Sequence, residues 1–181
     1  DGNLLIDAPE GVADWLAARG TRVDHVLLTH QHYDHILDAA RLQATGARLH
    51  AFADYSPELT LEEAVRSWGM PVTVAPYQVD SILDMASPLE LAGLEFALAH
   101  VPGHSTDSVT FHLASESLVF SGDTLFAGSI GRPDLPGGNV GQLLDGIGTH
   151  LMTLPPETRV YPGHGPATTI AREAVENPYL D

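Results

Sequence analysis

Thr29-His30-Gln31-His32-Tyr33-Asp34-His35 places three imidazoles and one carboxylate within six positions. A lone histidine is usually a surface or satisfied core residue, but a group this dense, with a carboxylate in it, has the composition of a metal-binding loop. In an extended or turning segment His30 and His32 project to one side, while Asp34 and His35 turn toward a second point as a helix begins. Two neighbouring cations can share such a loop. Three further segments repeat one design, an apolar run ending in a glycine-bracketed polar residue: His100-Val101-Pro102-Gly103-His104, Phe120-Ser121-Gly122-Asp123 and Tyr161-Pro162-Gly163-His164-Gly165. Each places one donor at a strand end, where glycine permits close backbone approach and unusual dihedrals. The candidate metal ligands are therefore His30, His32, Asp34, His35, His104, Asp123 and His164. The other histidines, His25, His50, His100, His112 and His150, are read as structural or exposed.

The elements that must position these donors follow from periodicity. Residues 4–7 read as a short strand and 9–19 as a helix, with Pro9 suited to a first turn and Val12, Trp15 and Leu16 forming an apolar stripe. Residues 23–29 are an apolar run bounded by charge, the pattern of a buried strand, and they lead straight into His30. A helix over 36–45, a strand over 48–52 and a helix over 61–68 complete a βαβα order. Beyond residue 78 the pattern changes to short alternating runs at 89–91, 94–98, 109–113 and 118–121, an antiparallel meander. A Gly- and Pro-rich loop over 127–139, a helix over 140–151, a strand over 159–161 and a helix over 167–175 finish the chain. Mixed parallel and antiparallel segments imply an α/β fold of sheets covered by helices.

The 181 residues suffice to bury roughly two-thirds of the unfolded surface, so one domain over 1–181 is expected. Asp1-Gly2-Asn3 runs directly into Leu4-Leu5-Ile6, as though the chain opens inside a hairpin with upstream residues missing. No apolar run approaches the ~20 residues that span a bilayer, so neither a membrane nor a targeting segment is expected and cytoplasm is the default location. Acidic residues number 24 against 8 basic, a net charge of −16, and every base is an arginine. That field repels phosphate backbones, which argues against a nucleic-acid partner. With no cysteine, any metal must be held by nitrogen and oxygen.

The ligand loop of form HxHxDH, followed by separate His, Asp and His donors, resembles the metallo-β-lactamase superfamily over nearly the whole chain. The resemblance implies a four-layer αββα sandwich. It also implies that His30, His32 and His104 hold one metal and Asp34, His35 and His164 a second, with Asp123 bridging. The absence of cysteine and the bridging Asp123 point away from the antibiotic-degrading branch, one common type of which uses a Cys ligand. The segment 121–139, beginning Ser121-Gly122-Asp123-Thr124, together with Tyr161-Pro162-Gly163-His164-Gly165-Pro166 and the tail Asn177-Pro178-Tyr179-Leu180, resembles short, single-domain glyoxalase II-like (hydroxyacylglutathione hydrolase-like) proteins. By that resemblance the stretch from His164 to Asp181 is expected to lack the helical domain with which full-length glyoxalase II helps bind glutathione, and the sequence has no lysine.

The expected activity is hydrolysis of a small-molecule thioester such as S-lactoylglutathione. Divalent cations, zinc first and iron or manganese as alternatives, lower the pKa of a bound water from about 15.7 toward about 7, and the resulting hydroxide is the expected nucleophile. A thiol with a pKa near about 8.5 leaves without a strong acid. Asp34 is expected to orient the attacking water and Asp123 to join the metals. Candidate substrate contacts are Arg132 in the loop after Asp123, and the aromatics Tyr33, Phe126 and Tyr161 beside the ligands. An iron-dependent persulfide dioxygenase is the alternative, because such proteins share the histidine loop and a segment like Gly131-Arg132-Pro133-Asp134. A catalytically silent metal-binding scaffold is the third reading, disfavoured by the intact set of donors.

Overall fold

The computed structural model describes residues 2–180; Asp1, and with it the start of the suggested hairpin, lies outside them. The chain divides into two compact units, one running to Leu83 and the other starting at Asp84.

In the first unit, β1 (Leu4–Ile6), β2 (His25–Leu27), β3 (Arg48–Ala51) and β4 (Ser81–Ile82) form one sheet in that order. Every neighbouring pair is parallel. Parallel neighbours need crossovers, which α1 (Val12–Ala18), α2 (Tyr33–Ile36), α3 (Ala39–Ala44) and α4 (Glu62–Ser67) help to supply. Val26, Leu28, Leu49 and Ala51 from the strand segments pack with Leu16, Ile36 and Leu42 from the helices. Several boundaries differ from the periodicity, two of them for a visible reason. Helix α1 starts after Gly11, whose φ of 84° is left-handed, rather than at Pro9. The helix expected over 36–45 is split into α2 and α3, and the split falls at Asp38. The Asp38 carboxylate accepts from the Ala13 amide (2.9 Å) and from Arg41 (2.9 Å), and its own amide donates to Ala8 O. Such side-chain bonds to neighbouring backbone compete with helical continuation.

Across β2 and β3, His25 Nδ1 lies 3.1 Å from His50 Nε2. His50 is buried, and burial, with the neighbouring His25 and Arg48 adding to it, pushes its pKa down to about 4. The unfolded chain therefore binds a proton between about 6.5 and about 4 that the folded chain refuses. This contribution to stability is whole above the unfolded value and is lost as pH falls toward about 4. Replacing His50 by Gln should flatten the dependence of urea-midpoint on pH in that window while leaving it unchanged above pH about 7.

In the second unit, β5 (Leu89–Leu91), β6 (Leu94–His100), β7 (Val109–Leu113) and β8 (Leu118–Gly122) form the antiparallel meander. Strand β11 (Arg159–Pro162) pairs parallel with β8, and β12 (Thr168–Thr169) pairs antiparallel with β11, giving the sheet order β12-β11-β8-β7-β6-β5. The loop expected over 127–139 begins within a small hairpin, β9 (Leu125–Phe126) and β10 (Ser129–Ile130). Helix α5 (Val140–Gly146) opens on Asn139, whose side chain accepts from Gln142 N, and passes into a π-helical turn at Ile147–Leu151. Helix α6 (Ile170–Glu176) follows β12, with Thr169 as its cap. Val119 and Val160 from the sheet pack with Leu125, Leu143, Ile147 and Ile170. Among the described residues no helix is long and apolar enough to cross a membrane.

Candidate metal centre

The first group of donors stands at the ends of β1 and β2. Asp7, at a φ of 60° just past β1, is buried and gathers three hydrogen bonds on its carboxylate. Thr29 donates from its amide (2.7 Å) and its hydroxyl (2.8 Å), and His35 Nδ1 donates at 2.8 Å. Because the Thr29 hydroxyl spends its one proton on Asp7, it can only accept from His30 Nδ1, 3.1 Å away. His30 and His35 are therefore both held in the tautomer that carries hydrogen on Nδ1 and a lone pair on Nε2. A carboxylate or hydroxyl on the far nitrogen is the usual way a metal-binding imidazole is oriented.

The rings of His32 and His35 lie 4.5 Å and 4.1 Å from that of His30, centroid to centroid. Gln31, between His30 and His32 in the chain, is buried. Its amide donates to Ala53 O and Asp54 O, and its carbonyl accepts from Tyr77 OH at 2.7 Å. Asp34, on the first turn of α2, has Oδ2 3.9 Å from His35 Nε2. Tyr33 is half-buried against the core, and burial together with the adjacent Asp34 charge raises its phenol above the usual range.

The second group surrounds Asp123, which follows β8. Asp123 Oδ2 is 3.5 Å from His104 Nε2 and also 3.5 Å from His164 Nε2. These distances exceed the ~2.7–3.2 Å of a nitrogen–oxygen hydrogen bond. They match the roughly 3.3–3.6 Å between two donors that each sit about 2.0–2.2 Å from a common tetrahedral cation. One carboxylate oxygen thus stands at ligand spacing from two imidazoles. His104 Nδ1 donates to the carbonyl of Arg132 at 3.1 Å, which again leaves Nε2 as the ligand atom.

Two glycines make this cluster possible. At Gly103 (φ 128°) a Cβ would lie 2.4 Å from Asn139 O, so the turn carrying His104 packs directly on the start of α5. At Gly131 a Cβ would lie 1.9 Å from Asp123 O and 3.0 Å from His104 Cβ.

The residues suggested as substrate contacts fall in varied places. The Arg132 guanidinium is exposed and bidentate to Asp134 at 3.0 and 2.9 Å. Phe126 is half-buried, edge-on to His164 with centroids 6.4 Å apart. Tyr161 packs on Phe120 and accepts from Arg159 at 3.2 Å. Sequence reasoning missed Asp7, Gln31 and the Arg132 carbonyl. An acidic residue at the end of an apolar strand was the only local signal for Asp7, and it acquires meaning only once β1 is known to neighbour β2.

The Lactamase_B pattern, the metallo-β-lactamase superfamily, matches residues 1–164. The chain belongs to the metallo-β-lactamase superfamily. Among its relatives, a probable metallo-hydrolase of Bacillus subtilis is 35% identical, aligned over 100% of this chain and 89% of its own length. Hydroxyacylglutathione hydrolase GloC of Haemophilus influenzae is 33% identical over 99% and 88%. Among solved structures, BLEG-1, a B3 metallo-β-lactamase, superposes with a TM-score of 0.87 at 34% identity, covering 98% of this chain and 88% of that one. TTHA1623 in a di-iron-bound form gives 0.81 at 37% identity over 97% and 88%. The α/β fold class expected from the sequence is the superfamily's, and this fold binds divalent metals. The donors here fit that role: imidazoles, three of them oriented through Nδ1, and the Asp123 carboxylate at ligand spacing, all nitrogen and oxygen.

Proposed function

We propose that the chain is a metal-dependent thioester hydrolase acting on an S-acylglutathione such as S-lactoylglutathione. The observation that supports the reaction class is the Asp123 oxygen at 3.5 Å from both His104 Nε2 and His164 Nε2, a spacing compatible with a carboxylate shared between two ions. The substrate class is supported by similarity to GloC, whose name states hydroxyacylglutathione hydrolysis. In this reading His30, His32 and His104 would hold one cation and Asp34, His35 and His164 a second, with Asp123 shared and zinc the preferred ion. Bound there, such ions would supply a hydroxide nucleophile at neutral pH and polarise the thioester carbonyl.

The remaining work belongs to side chains. Asp34 would accept a hydrogen bond from the nucleophile and so set its direction. Asp7 and Thr29 keep the imidazoles of His35 and His30 from rotating. Phe126, beside His164, offers an apolar face to the acyl group, and Tyr33 and Tyr161 are further candidates for the pocket wall. Arg132 would meet a substrate carboxylate by exchanging its exposed partner Asp134.

The test is turnover of S-lactoylglutathione by metal-loaded protein beside a His32→Ala variant. Outer partners of metal ligands alone are worth ~10–100-fold, so loss of a ligand should lower turnover by about 100-fold or more. A metal-loaded protein that leaves the thioester intact overturns the proposal. Opening of a β-lactam, or oxygen uptake with glutathione persulfide, would then identify the activity.

A further inference from the structure

Glu173 lies on α6, is 1% exposed and collects three neutral donors on its carboxylate. Thr168 Oγ1 donates at 2.5 Å, Gly128 N at 2.8 Å and Asn177 Nδ2 at 2.9 Å. Asn177 is also buried, and the same amide group donates to Ser129 O at 3.0 Å. Both residues thus grip one object, the turn of the β9–β10 hairpin. Burying a carboxylate costs free energy unless its oxygens are satisfied, and a methyl-bearing side chain would fill the space without that cost. A carboxylate here does what an apolar group cannot, by holding the Gly128 amide at a fixed point.

The hairpin in turn touches the cluster around Asp123 at three places. Phe126 in β9 stands against the His164 ring. Gly131, the residue after β10, abuts Asp123 O and His104 Cβ and donates to Thr124 O at 3.1 Å. The next carbonyl, that of Arg132, accepts from His104 Nδ1. A displaced hairpin therefore releases the rotation of one imidazole and the packing of another.

We propose that Glu173 and Asn177 are positioning residues for the metal ligands, a latch that fixes His104 and His164 through the β9–β10 hairpin. The inference rests on the reading of those histidines as ligands. It assigns a role to the Asn177-Pro178-Tyr179 tail, which the hydrolytic scheme leaves without one.

The experiment measures Zn2+ affinity by competition with a chromophoric chelator, and amide hydrogen exchange over residues 125–132, in full-length protein. Glu173→Ala and Asn177→Ala should each weaken Zn2+ binding by about 10-fold, at the lower end of the effect of removing an outer partner, and hasten exchange in the hairpin. Glu173→Gln should restore both, because its carbonyl accepts from Gly128 N and its amide donates to a reversed Thr168 hydroxyl. Faster hairpin exchange with unchanged Zn2+ affinity, or unchanged exchange in either alanine variant, overturns the latch. Should Glu173→Ala fail to fold, Asn177→Ala decides alone. His104→Ala separates the two levels: if it binds Zn2+ as tightly as wild type, the ligand assignment fails and the latch with it, whereas wild-type affinity in the latch variants alone overturns only the latch.

Discussion

Asp123→Ala is expected to lower thioester turnover by about 10²–10³-fold, the scale set by deleting one preorganised charge-stabilising group, and to reduce bound metal per chain. The reason is geometric: Oδ2 is the atom that both His104 and His164 face at 3.5 Å. Without it, one cation keeps His30, His32 and His104 and the other keeps Asp34, His35 and His164 in the proposed assignment, but nothing joins them. Asp123→Asn tests charge apart from size, since an amide of the same shape is a far poorer bridge between two cations. It should resemble the alanine variant in turnover. Metal content by elemental analysis, read beside turnover, checks the prediction. Full activity with full metal content in Asp123→Ala would remove the bridging role.

The second large effect is expected at Asp7, which touches no metal in the proposed assignment. Its carboxylate accepts from Thr29 N, Thr29 Oγ1 and His35 Nδ1, and it is buried. Asp7→Ala strands three donors, at a cost of about 3–5 kcal/mol. At roughly 2–4 °C per kcal/mol for a chain of this size, the melting temperature should fall by roughly 6–20 °C. Asp7→Asn is the cleaner comparison. Asparagine tolerates the left-handed backbone seen at this position, so strain is not added. Its amide, however, turns one acceptor into a donor facing donors, and His35 or Thr29 loses its partner. We expect Asp7→Asn to be intermediate in stability and to weaken zinc binding by about 10–100-fold. Thermal unfolding and chelator competition measure the two effects separately. An Asn variant with wild-type zinc affinity would show that His35 needs no fixed tautomer.

The parts of this protein that were legible in its sequence are those encoded by neighbours along the chain. Strands β5 and β7 have the bounds that alternation of apolar and polar residues implies. The dense donor loop needed only its own residue types to be recognised. Gly103, read beside His104 as a point of close backbone approach, does pack on the start of α5, whereas the tighter approach at Gly131 had no such signal. What escaped depends on partners distant in sequence. Asp38 splits a helix by reaching Ala13, Asp7 orients His35 from a neighbouring strand, and Glu173 gathers Gly128 from 45 positions away. A polar residue of this kind carries no periodicity, and its role is set by which strand or hairpin folding brings beside it. Arg132 shows the converse. Its side chain drew attention as a charge near ligands, yet its backbone carbonyl is the group that meets His104.

In the proposed function, hydrolysis depends on metal held by these histidines and aspartates. The most direct measurement strips the protein with a chelator, assays S-lactoylglutathione hydrolysis, and then titrates Zn2+, Fe2+ or Mn2+ back. The stripped protein should be inactive, and activity should return in proportion to bound ion, saturating at one or two per chain. A stripped protein that hydrolyses the thioester at the original rate would contradict it.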